Sequence, residues 1–570
     1  MSRSIPQYSI VVKRDACEAE RFAAKELQKY LYKSLGKNFP FFDERVDKFS
    51  PEIIVGFGAR GVELTNEYQS LLGEEGFVLK PLSDGNYLVA GATARGTIYG
   101  VYTFLELTVG FKAYTRTVEK VDKKDQLIFP DREIIQKPDF EYRDPFFSCA
   151  FNADFAVKNK INLGWANIPD RMGGGMKFFS GSHTLRILLP SHVYYNDHPE
   201  YYALVDGERT PDQPCLSNPQ VFEIVRENLI KQIKQNPECK IFSVAQNDVD
   251  VFCQCDKCKK IYAEQGSASA IYLTFVNKLI DSIKDEFPNV LIHTFAYRHT
   301  RVAPKNLVPN DRVIVRLCNI ECDWSRPFTE LAKDQSSATY EFVNNLKEWG
   351  KITKRLYVWD YAVNFWNYLL PFPNLYQMAE NIKFMHKMGV VGMMQQGNYT
   401  YNGGAALDQL KSYLVARLTW NVNENPREII TEFCQNVYGK GGKYIVEYID
   451  LLTNAVKEHK MTLYDNADAP YFSVELADKC AKLFEKAKEL ATPSEWERLD
   501  KESLSVDYLR IVLIEDDKIR SQQVDEFAKK LCKYGINEIA EKAALDDTLN
   551  FMKEHRYANQ RFPRYDYLRY

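Results

Sequence analysis

Apolar and polar positions alternate with two different periods along the 570 residues, and the changes of period divide the chain into three parts. Residues 8–13 (Tyr-Ser-Ile-Val-Val-Lys) read as a strand, and an amphipathic helix follows over 17–35. A strand at Glu52–Val55, a hairpin-like pair over 76–91 and a helix over Ala94–Leu107 come next. This β-α-β-β-α order predicts a small α/β sandwich over residues 1–135, with a linker between Pro130 and Pro138.

From 136 to 425 short apolar runs alternate with helical patterns. The strand candidates are Tyr142–Cys149, Ile161–Ile168, Tyr201–Val205, Cys239–Ala245, Val290–Tyr297, Arg312–Cys318, Arg355–Trp359 and Val390–Met394. Pro219–Gln235, Ser269–Glu286, Ser337–Lys351 and Asn374–Met388 carry the helical period between them. Eight such units predict a (β/α)8 TIM barrel, a fold of about 250 residues. An open doubly wound sheet is the alternative, but no Gly-rich phosphate turn supports it. Residues 426–570 show helical periods alone and read as an all-helical domain that supports the barrel rather than contributing chemistry.

Composition narrows the function classes. With 74 basic and 77 acidic residues there is no basic excess of the kind a nucleic-acid binder shows. No apolar run approaches the roughly 18–20 residues that a transmembrane segment needs. The first residues lack the basic and apolar regions of a secretory leader. A cytoplasmic location therefore stands beside a periplasmic, secreted or surface-anchored one from which a leader has been removed.

In a barrel, chemistry sits where strands end. The fourth predicted strand runs into Gln246, Asn247 and Asp248, the fifth into Tyr297, Arg298 and His299, and the sixth into Asn319–Trp324 with Glu321. The seventh leads to Asp360, Tyr361 and Trp366, and the eighth to Gln395 and Gln396. Carboxyls, amides and aromatic rings at one mouth suit a sugar: hydroxyls need polar partners, ring faces need aromatics, and bond cleavage needs a carboxyl pair. Asp248 leads as catalytic carboxyl, with Asp360 and Glu321 next. The ordinary reading of each is a helix cap or loop ion pair. His183, His198 and His299 are candidate hydroxyl partners, and Arg143, Arg298 or Arg326 would provide the basic clamp a uronic acid requires.

Twelve cysteines are spread unevenly, with Cys253, Cys255 and Cys258 within six residues. Cys215 is a candidate fourth ligand. Four thiolates would make a closed structural Zn²⁺ site, since a catalytic zinc keeps a position open. A reduced cluster, or a disulfide with a spare thiol, is the alternative. No cofactor for catalysis is expected.

Gly91-Ala92-Thr93-Ala94-Arg95-Gly96-Thr97-Ile98-Tyr99-Gly100-Val101-Tyr102 resembles the signature of the small α/β domain that precedes the barrels of α-glucuronidases and β-hexosaminidases. His198-Pro199-Glu200-Tyr201-Tyr202, Gln246-Asn247-Asp248 with the following Cys-Gln-Cys-x-x-Cys, and the run Trp359–Asn374 resemble glycoside hydrolase family 163. Together these cover about residues 8–430. The resemblance implies an endo-β-N-acetylglucosaminidase that cleaves the di-N-acetylglucosamine (chitobiose) core of complex N-glycans. It implies a retaining, substrate-assisted mechanism in which the sugar's acetamido oxygen attacks the anomeric carbon. Such barrels often carry two adjacent acids after the fourth strand, where this chain has Asn247-Asp248. Asp248 is then either the acid, or the group that orients the acetamide while Glu321 or another carboxyl protonates the leaving oxygen. Asn247, Tyr297, His299, Tyr361, Trp366, His183 and Gln396 are the expected substrate contacts. The competing readings are an exo-acting hexosaminidase or α-glucuronidase-like glycosidase, and a non-hydrolytic carbohydrate-binding protein on a degenerate barrel. All imply an oligosaccharide or glycoprotein glycan as partner.

Overall fold

A computed structural model describes residues 8–48 and 50–556; the seven N-terminal residues on which the leader reading rests lie outside them. A six-stranded sheet comes first, in the order Phe41–Asp43, Ser9–Val12, Glu52–Val55, Tyr87–Gly91, Phe77–Pro81, Ile134–Gln136. The first four strands run parallel and the last two antiparallel to their neighbours. Helices Glu18–Leu35 and Ala94–Val109 cover one face, where Ile10, Val12, Ile53, Val55 and Val89 meet them.

The glycine-rich stretch at 91–96 is explained by close approach. A Cβ on Gly91 would stand 2.3 Å from the Gly96 backbone, and one on Gly96 would stand 2.4 Å from the carbonyl oxygen of Gly76. Thr93 between them caps the helix by accepting from the Gly96 N–H at 3.2 Å. Arg95, from the same stretch, pairs with Glu75 at 3.0 Å, and Glu75 pairs in turn with Arg143 at 2.6 Å. Arg143 is fully buried. Burial pushes the Glu75 carboxyl up, but Arg143 and Arg95 more than offset this and hold it below its usual value.

Arg143 belongs to the second sheet, seven parallel strands curled around an interior. In chain order these are β1 (Tyr142–Phe146), β2 (Phe178–Phe179), β3 (Ile241–Ser243), β4 (Leu291–Ala296), β5 (Val313–Cys318), β6 (Leu356–Tyr361) and β7 (Val390–Gln396). They are ordered β2-β3-β4-β5-β6-β7-β1. Alternate residues point inward, as the period of a strand dictates. Tyr142, Ile241, Leu291, Ile314, Tyr357 and Met394 fill the interior. Their neighbours Phe242, Ile292, Val313, Val315, Val358 and Met393 pack outward against the helices.

Two of the eight expected strands differ. Ile161–Ile168 is not a strand: Asn162 and Leu163 lie in the gap between the edge strands β1 and β2. There the Asn162 side-chain oxygen accepts from the Arg143 N–H at 3.0 Å and Leu163 makes an isolated parallel bridge with Met176. The short helix Gly164–Ala166 then turns the chain away. Tyr202–Val205 is a strand, but it forms a separate antiparallel hairpin with Glu208–Pro214. The two-residue β2 was not anticipated, being too short to show a period.

Beyond residue 425 the chain is helical, beginning with Pro426–Tyr438, whose first turn is set by the cap Asn425 and by Pro426. Among the described residues no helix is long and apolar enough to cross a membrane.

Candidate active site

A cavity of about 370 Å³ opens at the carboxyl ends of the parallel strands, within the range typical of small-ligand sites. Of the predicted residues, it is lined by Asp248, His183, Tyr297, Tyr361, Trp366 and Gln396. His183 follows β2, and its Nδ1 lies 2.6 Å from the main-chain oxygen of Gln246. A carbonyl only accepts, so Nδ1 carries the hydrogen and Nε2 is left facing Asp248, 3.7 Å from its Oδ1. Burial lowers the His183 pKa. Arg298 stands 3.9 Å from the same carboxylate oxygen.

Asp360 lies elsewhere. On β6 the inward residues are Trp359 and Tyr361, so Asp360 points outward, where it accepts from Asn319 at 2.7 Å, Trp324 at 3.3 Å and Gln395 at 2.6 Å. It is a buried anchor for the loop after β5, with burial raising its pKa. Glu321 pairs with Arg301 in an adjoining depression. His299 lines that depression as well, within 3.2 Å of the Tyr272 hydroxyl and 3.5 Å of Asp250. Asn247 is spent on the loops: its Oδ1 accepts from the Arg186 N–H at 2.8 Å, and its Nδ2 donates to the Asp212 carbonyl at 2.6 Å. His198 is exposed and stacked on Tyr201, Arg143 is locked to Glu75, and Arg326 pairs with Glu330. None of these reaches the cavity.

Four charged residues of the cavity were not anticipated: Asp144, Arg316, Glu541 and its neighbour Lys542. Asp144 and Arg316 sit in the middle of β1 and β5, at inward positions whose neighbours on the same face are apolar or aromatic. A charge at an in-phase position was the available signal, and attention to strand ends alone passes over it. Burial pushes the Asp144 carboxyl up to about 7, against the opposing pull of the Tyr142 hydroxyl, 2.6 Å away, and of Arg316. Arg316 is caged by the rings of Phe178, Tyr142 and Trp359, with its guanidinium carbon 4.9, 5.7 and 5.7 Å from their centres. Its Nε and Nη2 have no hydrogen-bond partner among the described residues, and neither has Asp144 Oδ1.

The third is Glu541, from the region expected only to support the barrel. The segment around it is tied to the sheet's loops by main-chain bonds from Tyr368 N–H to Ile539 O at 2.8 Å and from Glu541 N–H to Phe365 O at 2.9 Å. Glu541 thereby reaches the cavity, where it accepts from Gln396 at 3.3 Å and from the Tyr399 hydroxyl at 3.2 Å. Burial raises its pKa. No local pattern in residues 534–544 marks this, because the partners are some 140 or more positions away.

Three strands separate β3 from β7 in the sheet, so Asp248 and Glu541 approach the cavity from opposite walls. Trp359, whose indole N–H donates to Gln396 at 2.8 Å, lies between them on β6. Trp165 stands 62% exposed at the rim. Cys215, Cys253, Cys255 and Cys258 converge beside the Asp248 loop, with their sulfurs all within 4.8 Å of one another.

An aromatic-walled pocket with carboxyls on opposing walls lies at the carboxyl ends of a curled parallel sheet, where ligand sites of parallel α/β folds are placed. The chain belongs to the family described as "Domain of unknown function (DUF4838)", which residues 113–450 match, and residues 3–104 match "Glycosyl hydrolase family 67 N-terminus". Among solved structures the fold is similar to that of a family GH115 4-O-methyl-α-glucuronidase with specificity for decorated arabinogalactans. Identity is 13%, coverage is 93% of this chain and 76% of that one, and the TM-score is 0.57. It is also similar to a family 89 glycoside hydrolase from Clostridium perfringens in complex with PUGNAc, at 12% identity, 91% and 65% coverage and a TM-score of 0.51. These likenesses are of fold. No curated protein matches the chain by sequence.

Proposed function

We propose that the protein is a glycoside hydrolase in which Asp248 and Glu541 flank the scissile bond. The observation that carries this reading is that both carboxyls line one aromatic-walled cavity from opposite walls, and glycosidic cleavage uses a pair of carboxyls. Glu541, whose burial favours the protonated form, is the proton donor to the leaving oxygen. The finer reading is an endo-β-N-acetylglucosaminidase acting on the N-glycan core. It is supported by the adjoining depression of about 470 Å³, which shares Tyr297, Ile320 and Tyr464 with the main cavity and offers room for a second sugar. In that mechanism the acetamido oxygen closes on the anomeric carbon as the leaving oxygen takes the Glu541 proton. Asp248 holds the acetamide N–H, and water, losing a proton to the Glu541 carboxylate, then opens the cyclic intermediate with retention.

A specific observation favours a second reading. Arg316, with unpaired N–H groups at the cavity floor, suits a uronic acid carboxylate, as an α-glucuronidase-like enzyme would use. Incubation with an intact complex-type N-glycoprotein, aryl N-acetylglucosaminides and aryl glucuronides separates the two. Release of whole glycans supports the endo reading, and release of free uronic acid the second. Glycan binding without hydrolysis of any of them would replace both with a carbohydrate-binding protein.

A further inference from the structure

The four-cysteine cluster is not used by the reaction above, yet it is built from two separate stretches of chain. Cys215 follows the hairpin strand Glu208–Pro214, Cys253 and Cys255 lie on the loop leaving Asp248, and Cys258 is in the first turn of helix Asp256–Gln265. Cys215, Cys253 and Cys258 are buried, and Cys255 is partly so. The sulfurs of Cys215 and Cys255 stand 3.7 Å apart. That is far beyond a disulfide bond of about 2.05 Å. It is close to the roughly 3.8 Å edge of a sulfur tetrahedron around an ion with metal–sulfur bonds of about 2.3 Å.

Polar groups surround the sulfurs. The Leu204 N–H donates to the Cys253 sulfur at 3.4 Å. The Ser217 hydroxyl lies 3.3 Å from the sulfurs of Cys255 and Cys258 and 3.4 Å from that of Cys215. Cys255 caps the helix that carries Cys258, so the positive end of the helix dipole faces the cluster. Among the described residues no other group of three or more such ligand side chains converges in this way. All four donors are soft sulfur, which disfavours magnesium and calcium, and no position is left open for a substrate.

We propose that Cys215, Cys253, Cys255 and Cys258 bind a structural Zn²⁺ that clamps the Tyr202–Pro214 hairpin to the loop bearing Asp248. The two segments are already stitched by hydrogen bonds. Gln254 N–H donates to Leu204 O at 2.7 Å, Gln213 Nε2 donates to Asn247 O at 2.9 Å, and Asn247 N–H donates to Gln213 Oε1 at 3.1 Å. The metal fixes the far end of this seam, so its loss frees the stretch from Asp248 to Cys258. That consequence for Asp248 rests on the reading of the cavity as the active site, whereas the metal site itself does not.

Elemental analysis of the whole protein, purified without added metal or chelator, tests the site independently of any activity. About one zinc per chain is expected. Cys255→Ser with Cys258→Ser should reduce it to near background, while Cys532→Ser, at an exposed position elsewhere, should leave it unchanged. Should the double variant fail to fold, exchange of the native protein into cobalt provides the check: tetrahedral thiolate coordination gives intense visible bands. Metal-free protein with four titratable thiols, disulfides among these cysteines, or iron in place of zinc would each overturn the proposal.

Discussion

The side-chain amide of Gln396 donates to the Glu541 carboxylate across 3.3 Å, joining the last strand of the parallel sheet to a segment 145 positions further along. This places an acid from the helical part of the chain on the wall facing Asp248.

Glu541→Gln should lower turnover by about 10²–10⁴, the usual worth of a general acid, with KM changed far less. The loss should shrink on an aryl glycoside with a strongly acidic phenol, whose departure needs no proton. An equal loss on good and poor leaving groups would remove Glu541 from the donor role.

Asp248→Asn should also cost several hundred-fold or more, but without rescue by a better leaving group, because its proposed partner is the acetamide and not the leaving oxygen. Steady-state kinetics on the same two substrates make the comparison. Near-parental turnover in Asp248→Asn would unseat the assignment.

Asp144 makes stability depend on pH. Its folded-state pKa, about 7, lies above that of an unfolded aspartate, so the folded protein binds the proton more tightly. The contribution is full below the unfolded value and is lost as pH rises through about 7. In Asp144→Asn the fall in unfolding free energy between pH 5 and pH 9 should be smaller by about 2–3 kcal/mol. Chemical denaturation across that range measures it, and a parallel pH profile in parent and variant contradicts it.

Glu75→Ala leaves Arg143 buried without its carboxylate. Breaking a buried pair from one side costs about 3–5 kcal/mol. The thermal midpoint should therefore drop markedly, whereas Glu330→Ala, which removes the surface partner of Arg326, should be close to neutral.

Much of the fold is legible in the pattern of side chains because period and capping are local. Six strands of the parallel sheet and the helices around them follow from the spacing of apolar residues and from caps such as Asn218 and Ser337. The three clustered cysteines announce themselves by spacing as well. Phase and partnership are another matter. Asp360 and Tyr361 are adjacent at the end of one strand, yet one faces the helices and the other the cavity. A shift of one residue reverses the side a group faces, and only the packed sheet settles it. Asp144 and Arg316 look like faults among apolar and aromatic positions until the sheet curls and turns them inward. Glu541 reaches its neighbours through long-range main-chain contacts that no local pattern encodes, while Cys215, named from the sequence as the fourth ligand candidate, is brought to the other three cysteines only by the fold. The sequence by itself determined which elements form and which chemical groups are available. The tertiary structure decided which of those groups meet, because side-chain direction and long-range closure are properties of the packed whole.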